Sequence, residues 1–124
     1  RMIKVAHRGN IQGRNIRLEN DPAYINSAIS MGYCAEVDVW YKDGNFYLGH
    51  DEPSYLVGES FLENGKLFCH AKNIEALHIM LENPYIHCFW HEGDLCTLTS
   101  QGFIWQYPEV YFAGKLWGVC SDWL

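Results

Sequence analysis

The sequence predicts an α/β fold in which parallel strands alternate with crossover helices. Up to Trp90, short apolar runs with the composition of strands alternate with windows of helical period. This alternation is typical of parallel sheets, because each return to a parallel neighbour needs a crossover segment. The length of 124 residues and the hydrophobic content of 48% predict a single domain, residues 1–124, with a substantial core.

Short apolar or alternating runs predict the strands in chain order. Four belong to the regular first part of the chain: Met2–Ala6, Tyr33–Trp40, Lys66–Ala71 and Tyr85–Trp90. The turn signal Asp43-Gly44 predicts that Asn45–Gly49 folds back on the second strand. After His91 the helical windows disappear, and three shorter strands are predicted: Thr97–Thr99, Phe103–Trp105 and Trp117–Cys120.

Two helices are marked by the residues that begin them. The pair Asp21-Pro22 joins a capping carboxylate to a proline at the first helical position, and this helix is expected to end near Gly32. Asn73 is expected to cap a second helix, which Asn83-Pro84 ends. The segment Pro53–Asn64 predicts either a weak helix or a loop.

Charge and composition exclude several classes of protein. The net charge of −6 argues against a binder of nucleic acid or anionic membranes that relies on bulk charge. No apolar run approaches the ~20 residues of a membrane-spanning helix, and Arg1–Gly9 lacks the pattern of a signal peptide. The five cysteines are odd in number; Cys34, Cys69, Cys88 and Cys120 lie in apolar runs, which predicts buried thiols. We therefore expect a cytoplasmic protein with no nucleic-acid partner and no transmembrane segment.

Polar side chains gather where the predicted strands end. They are His7, Arg8, Glu36, Asp38, His50, His70, Lys72 and His91. Residues two apart on a strand share a face, so Glu36 is expected to project with Asp38, and His70 with Lys72. Parallel strands bring their carboxyl ends to one edge of the sheet, where ligands bind in α/β folds. The sequence therefore predicts one site at this edge.

The pair Glu36 and Asp38 points to a divalent metal ion. Both alternate with apolar residues in a strand expected to be covered on two sides, where uncompensated carboxylates are costly. Paired carboxylate oxygens suit Mg²⁺ or Ca²⁺. Beside such an ion, Arg8 and Lys72 are suited to hold an anion. The alternative is an ordinary solvated strand face.

Five sequence blocks, in order, carry a resemblance to a known family. They are His7-Arg8-Gly9, Glu19-Asn20, Glu36-Val37-Asp38-Val39, Lys42-Asp43-Gly44 and His50-Asp51. Their order and gaps across Met2–Asp51 resemble the N-terminal signature of glycerophosphodiester phosphodiesterases, within the phospholipase-C-like phosphodiesterase superfamily. Further on, Cys69–Asn73 resembles the third-strand block, and Val119–Asp122 resembles the final strand motif.

The resemblance implies a role for each matching residue. It makes His7 and His50 the general acid and base and gives the metal ion to Glu36 and Asp38. It assigns two further pairs: Glu19 as a metal ligand with Asn20 at the phosphate, and Arg8 with Lys72 as phosphate-binding residues. The implied activity is metal-dependent hydrolysis of a small glycerophosphodiester-like substrate, through a cyclic phosphate. From its place after the fourth strand we add His91 to the substrate site, with Trp105 as a pocket wall.

One residue departs from the family pattern at the expected metal site. The family usually has an acidic residue two positions before the third-strand lysine, where this chain has His70. Either the His70 imidazole binds the ion, which would favour Mn²⁺ or Zn²⁺ over Ca²⁺, or the ligand is replaced by water. A separate zinc site around His87, His91 and Cys96 is a weaker alternative, since a strand separates its two histidines by ~13 Å.

The length is the second departure. The family has a TIM-type (β/α) barrel, which typically needs ~250 residues. We therefore expect a reduced or incomplete barrel whose C-terminal half has parallel strands but few helices. A homo-oligomer could cover its exposed flank, or the missing part could lie beyond Leu124 or in a partner subunit.

Two other functions remain open at this level. One is a non-catalytic phosphate- and metal-binding descendant of the same fold. The other is the same chemistry on a lysophospholipid or sphingolipid.

Overall fold

The computed structural model describes residues 3–106 and 118–124 of the chain. Met2 and Trp117, predicted to begin the first and last strands, lie outside these residues. The described strands are β1 (Ile3–His7), β2 (Cys34–Lys42), β3 (Asn45–Leu48), β4 (Tyr55–Val57), β5 (Leu67–Ala71), β6 (Cys88–Phe89), β7 (Thr97–Leu98), β8 (Ile104–Trp105) and β9 (Gly118–Ser121). The helices are α1 (Pro22–Ser30), α2 (Glu59–Leu62) and α3 (Ile74–Leu81).

The two predicted helices begin at the residues that the sequence marks. The carboxylate of Asp21 accepts a hydrogen bond from the Ala23 amide, and Pro22 opens α1. The side chain of Asn73 accepts a hydrogen bond from the Ala76 amide at the start of α3. No helix among the described residues has the length and apolar character needed to cross a membrane.

Seven strands form one mixed sheet. Strand β2 pairs in parallel with both β1 and β5. In turn, β1 pairs in parallel with β9, and β5 pairs in parallel with β6. The second half of β2 pairs with β3 in the antiparallel sense, and β4 continues that hairpin. Strands β7 and β8 form a separate two-stranded antiparallel sheet.

The predicted TIM-type barrel is wrong, because this sheet is open. The hairpin β3–β4 makes it mixed, and β6 pairs with β5 alone among the described strands. Between Phe89 and Gly118, the described residues form only the two-residue strands β7 and β8, with no crossover helix. Without crossovers, the described part of the chain adds no further parallel neighbour to β6, and its strands do not close into a ring.

The two faces of the sheet have different neighbours. On one face, Ala35, Val37 and Val39 of β2 pack into a core cluster that includes Ile25 of α1 and Met80 of α3. On the other face, a smaller cluster is formed by Val5, Phe68, Phe89, Trp105 and Cys120. Because side chains alternate along a strand, this second face also carries Glu36 and Asp38.

The thiols of Cys69, Cys88 and Cys120 are buried, as predicted, whereas Cys34 is only half-buried. Burial raises the pKa of the Cys69 and Cys120 thiols well above its ordinary value, which keeps both groups protonated at neutral pH.

Gly49 is predicted to be intolerant of any side chain. Its φ is +155°, and a Cβ atom would lie 1.9 Å from the Glu52 carbonyl oxygen. Gly49→Ala should therefore lower the free energy of unfolding by about 2–3 kcal/mol in urea denaturation. Gly65→Ala is the matched control, since nothing lies within 4 Å of its added Cβ. Equal stability of the two variants would contradict the assigned turn.

His87 should make the protein less stable in acid. The ring is 2% exposed between Phe68 and Phe103 and hydrogen-bonds Thr99, and burial lowers the pKa of His87 to about 4. The unfolded chain takes up this proton near pH 6.5, so the unfolding free energy should fall by about 2–3 kcal/mol between pH 6.5 and 4.

His87→Gln keeps an amide that can hydrogen-bond Thr99 but cannot titrate, so it should reduce this dependence by that amount. His78→Gln, whose side chain is 71% exposed, serves as the control. Parallel pH profiles for wild type and His87→Gln would refute the assignment.

Candidate functional site

Two buried carboxylates in β2 form the centre of the site. Glu36 and Asp38 are each 1% exposed. The register places Glu36 beside His7 of β1 and Asp38 beside His70 of β5. The predicted pairing on one face of β2 is therefore present, and neighbouring strands deliver the two histidines to it.

The hydrogen bonds of His70 fix which ring nitrogen faces the carboxylates. Its Nε2 lies 2.9 Å from the His91 carbonyl oxygen, which can only accept, so Nε2 carries a hydrogen. Its Nδ1 lies 3.2 Å from Asp38 Oδ1 and 3.6 Å from Glu36 Oε2. A neutral His70 therefore presents the Nδ1 lone pair to the space that the two carboxylates share.

The two carboxylates favour a positive charge on His70. Burial lowers the pKa of His70, but hydrogen bonds to Asp38 and Glu36 outweigh it and raise that pKa to about 9. Burial raises the pKa of Asp38, yet His70, Arg8 and Asn20 together hold it well below its usual range. A protonated His70 is thus paired with both carboxylates.

Arg8 and Asn20 hold Asp38 from the loop between β1 and α1. Arg8 Nε lies 3.2 Å from Asp38 Oδ2, and Asn20 Nδ2 donates to the same oxygen at 2.9 Å. The Asp38 amide donates back to Asn20 Oδ1 at 2.9 Å. Both loop residues have positive φ, 55° for Arg8 and 66° for Asn20. Such backbone is costly for residues other than glycine and is typical of functional sites.

Glu36, Asp38 and His70 fit a divalent metal ion. One ligand atom from each lies within 4.8 Å of the others, and no other group of three such side chains in residues 3–106 and 118–124 does so. The bond from His70 Nε2 to a backbone carbonyl is the outer contact that metal-binding histidines usually make. His87, considered for a zinc site, contacts Thr99 instead.

His7 faces Glu36 from β1 and is oriented by Asp122. Its Nδ1 lies 2.9 Å from Asp122 Oδ1, and because a carboxylate accepts, Nδ1 donates. The lone pair of His7 is then on Nε2, which lies 3.8 Å from Glu36 Oε1. This is the arrangement of a general base oriented by a carboxylate.

His50 lies at a cleft beside this cluster. The cleft measures about 210 Å³ and is lined in part by Arg8, Glu19, Asn20 and His50. The His50 side chain is 40% exposed, and its Nδ1 lies 2.8 Å from Asp51 Oδ1. His50 thus reaches the cleft from β3, but with more solvent around it than His7 has.

The remaining predicted site residues are Glu19, Lys72, His91 and Trp105. The Glu19 carboxylate accepts a hydrogen bond from Arg8 Nη1 at 3.1 Å and forms an ion pair with this guanidinium. Lys72 is half-buried, two residues beyond His70 and just after β5. The His91 ring donates to the Asp94 carbonyl oxygen, so this residue meets His70 through its backbone. Trp105 is 3% exposed and packs against Phe89.

Sequence reasoning missed two residues that contact the predicted ones. Asp122 follows β9 and orients His7, and Asn10 contacts both Asp122 and Glu19. The resemblance of Val119–Asp122 to a final strand motif was a usable signal for Asp122. Asn10 lies in a polar loop and carries no such signal.

Comparisons of the chain with protein-family models, curated proteins and solved structures find no match.

The three candidate ligands should bind Mn²⁺ in titration calorimetry. His70→Ala and Glu36→Gln should each weaken binding by at least about tenfold to a hundredfold. A loss of this size is already typical when a residue that only contacts a metal ligand is replaced. The controls His78→Ala and Glu82→Gln change the same residue types on the surface, where the side chains are 71% and 64% exposed. Equal affinities across all five proteins would contradict this site.

Proposed function

We propose that the chain is a metal-dependent phosphodiester hydrolase. The observation that supports this most directly is which ring nitrogen of His70 and of His7 faces the carboxylates. The Nδ1 lone pair of His70 joins the carboxylates of Glu36 and Asp38, while His7 directs Nε2 toward the same space. A metal-ligand set beside an oriented base is what hydrolysis of an anionic ester requires.

The chain's own groups have separate tasks in this proposal. An ion bound by Glu36, Asp38 and His70 would act as a Lewis acid on a phosphoryl oxygen. His7 Nε2 accepts the proton of the substrate hydroxyl next to the phosphate, as the oxygen of that hydroxyl bonds to phosphorus and a cyclic phosphate forms. The bond from phosphorus to the leaving oxygen breaks, and protonated His50 gives that oxygen a proton from the cleft side. Water then opens the cyclic phosphate: His50 accepts a proton from the water, and His7 returns its proton to the hydroxyl that is released.

Charge around the cleft supports an anionic substrate. Four carboxylates lie close together in the site, and Arg8 brings positive charge to it. Burial lowers the pKa of Arg8, but Asp38, Glu36 and Glu19 raise it overall, so the guanidinium stays charged. A divalent ion, bound with His70 as a neutral ligand, would add positive charge beside that of Arg8 and offset the developing charge on the phosphate oxygens.

A second candidate is a binding module that holds metal and phosphate without turnover. Two contacts favour it: the Arg8 guanidinium is engaged by Glu19 and Asp38, and the exposed His50 is paired with Asp51. Binding of a phosphodiester that no metal ion converts to product would identify this case.

The test of hydrolysis is release of glycerol 3-phosphate from glycerophosphocholine in the presence of Mg²⁺, Ca²⁺ or Mn²⁺. We expect turnover that depends on the ion. His7→Ala should lower kcat by about 10²–10⁴-fold, the usual effect of losing an acid–base group. His78→Ala should leave the rate within about twofold, since surface changes are mild. No turnover of this substrate by the wild type, or equal rates for the two variants, would contradict the proposed activity.

A further inference from the structure

Asn10 is a buried polar residue that the proposed chemistry does not use. It lies three residues after His7 and is 0% exposed. Its Oδ1 accepts from the Tyr24 hydroxyl at 2.9 Å and from the Asn15 amide at 3.2 Å. Its Nδ2 donates to Glu19 Oε2 at 2.9 Å and to Asp122 Oδ1 at 2.8 Å.

These partners permit only one orientation of the amide. Glu19 and Asp122 offer acceptors, so the NH₂ group must face them, and it has two hydrogens for the two oxygens. The reverse orientation would place the amide oxygen against two carboxylates and leave its hydrogens facing a hydroxyl and a backbone N–H. Tyr24 and Asn15 therefore hold the amide from behind.

Each carboxylate that Asn10 contacts has a second partner in the site. Glu19 accepts from Arg8 Nη1, and Asp122 accepts from His7 Nδ1. His7, Arg8 and Glu19 belong to β1 and the loop after it, whereas Asp122 lies 115 residues after His7, so the Asn10–Asp122 bond joins this loop to the end of β9. The NH₂ group lies between the carboxylates and offsets their mutual repulsion.

We propose that Asn10 is a positioning residue that fixes the His7–Asp122 pair and the Arg8–Glu19 pair relative to each other. Its effect on turnover rests on the proposed function, whereas its effect on the His7 ring does not. Through Asp122, Asn10 keeps the hydrogen of neutral His7 on Nδ1 and leaves Nε2 to accept a proton. Through Glu19, it keeps the Arg8 guanidinium beside Asp38.

The test replaces the amide of Asn10 by a group of the same shape. Asn10→Asp exchanges the NH₂ donor for a carboxylate oxygen and sets three acids side by side. The chain offers a close control in Asn83, whose Nδ2 likewise donates to two carboxylates, Glu59 and Glu63, at 2.6 and 2.8 Å. Asn83→Asp makes the same chemical change outside the site.

The first readout is the tautomer of His7, from its ring ¹⁵N resonances at a pH where the ring is neutral. Wild type and Asn83→Asp should show the hydrogen on Nδ1, and Asn10→Asp should show a substantial share on Nε2. An unchanged His7 tautomer in Asn10→Asp would overturn the proposal. This measurement needs no substrate, so it judges Asn10 even if the chain has no phosphodiesterase activity.

The second readout is steady-state kinetics on glycerophosphocholine. Asn10→Asp should lower kcat by about tenfold to a hundredfold through misplacement of the base, with KM within about threefold. Mn²⁺ affinity should stay near that of wild type, which a general loss of structure would not allow. An equal fall in kcat for Asn83→Asp, or a fall in metal affinity as large as that in kcat, would refute a positioning role. If Asn10→Asp does not fold, Asn10→Ala, which adds no charge, takes its place in both measurements against Asn83→Ala.

Discussion

The burial of two carboxylates in one strand is the constraint on which the rest of the site depends. Glu36 and Asp38 have no solvent to stabilise their charge, and isolated buried charges are very costly. Each surrounding element brings a compensating group: Arg8 and Asn20 from the first loop and His70 from β5. The Arg8 amide also donates to Glu36 Oε1 at 3.2 Å. The positive φ values of Arg8 and Asn20 are a local cost of reaching these carboxylates.

The position of β2 explains how so many groups meet. Its first half pairs with β1 and β5, and its second half pairs with β3, so three neighbouring strands lie along it. Below them, on the same face, Phe68, Phe89 and Trp105 exclude water from the strands. A polar site on an apolar base strengthens every ionic contact within it, because the local dielectric is low.

The sequence predicted local structure and the centre of the site better than the overall fold. Asp21-Pro22 and Asn73 act through neighbours within one turn, so their capping roles can be read from the chain. The i, i+2 spacing of Glu36 and Asp38 likewise fixes a shared face. Whether a sheet closes into a barrel depends on strands that lie far apart in sequence. The family resemblance led us to expect a barrel, but β7 and β8 pair with each other and do not extend the seven-stranded sheet. The role of Asn10 could not be predicted from its neighbours in sequence, because it depends on Asp122, at the other end of the chain.

The pairing of β1 with β9 has a consequence for the order in which the molecule assembles. Val5 aligns with Cys120, so this contact closes a loop of nearly the whole chain, whereas β2 and β3 meet across a tight turn. The entropy of closing a loop rises with its length, and contacts of this separation slow folding. The hairpin β2–β3 and the helix α1 can form from short segments, but the His7–Asp122 pair must wait for the last strand to dock. The orientation of the His7 ring therefore depends on the strand pairing of longest sequence separation among the described residues.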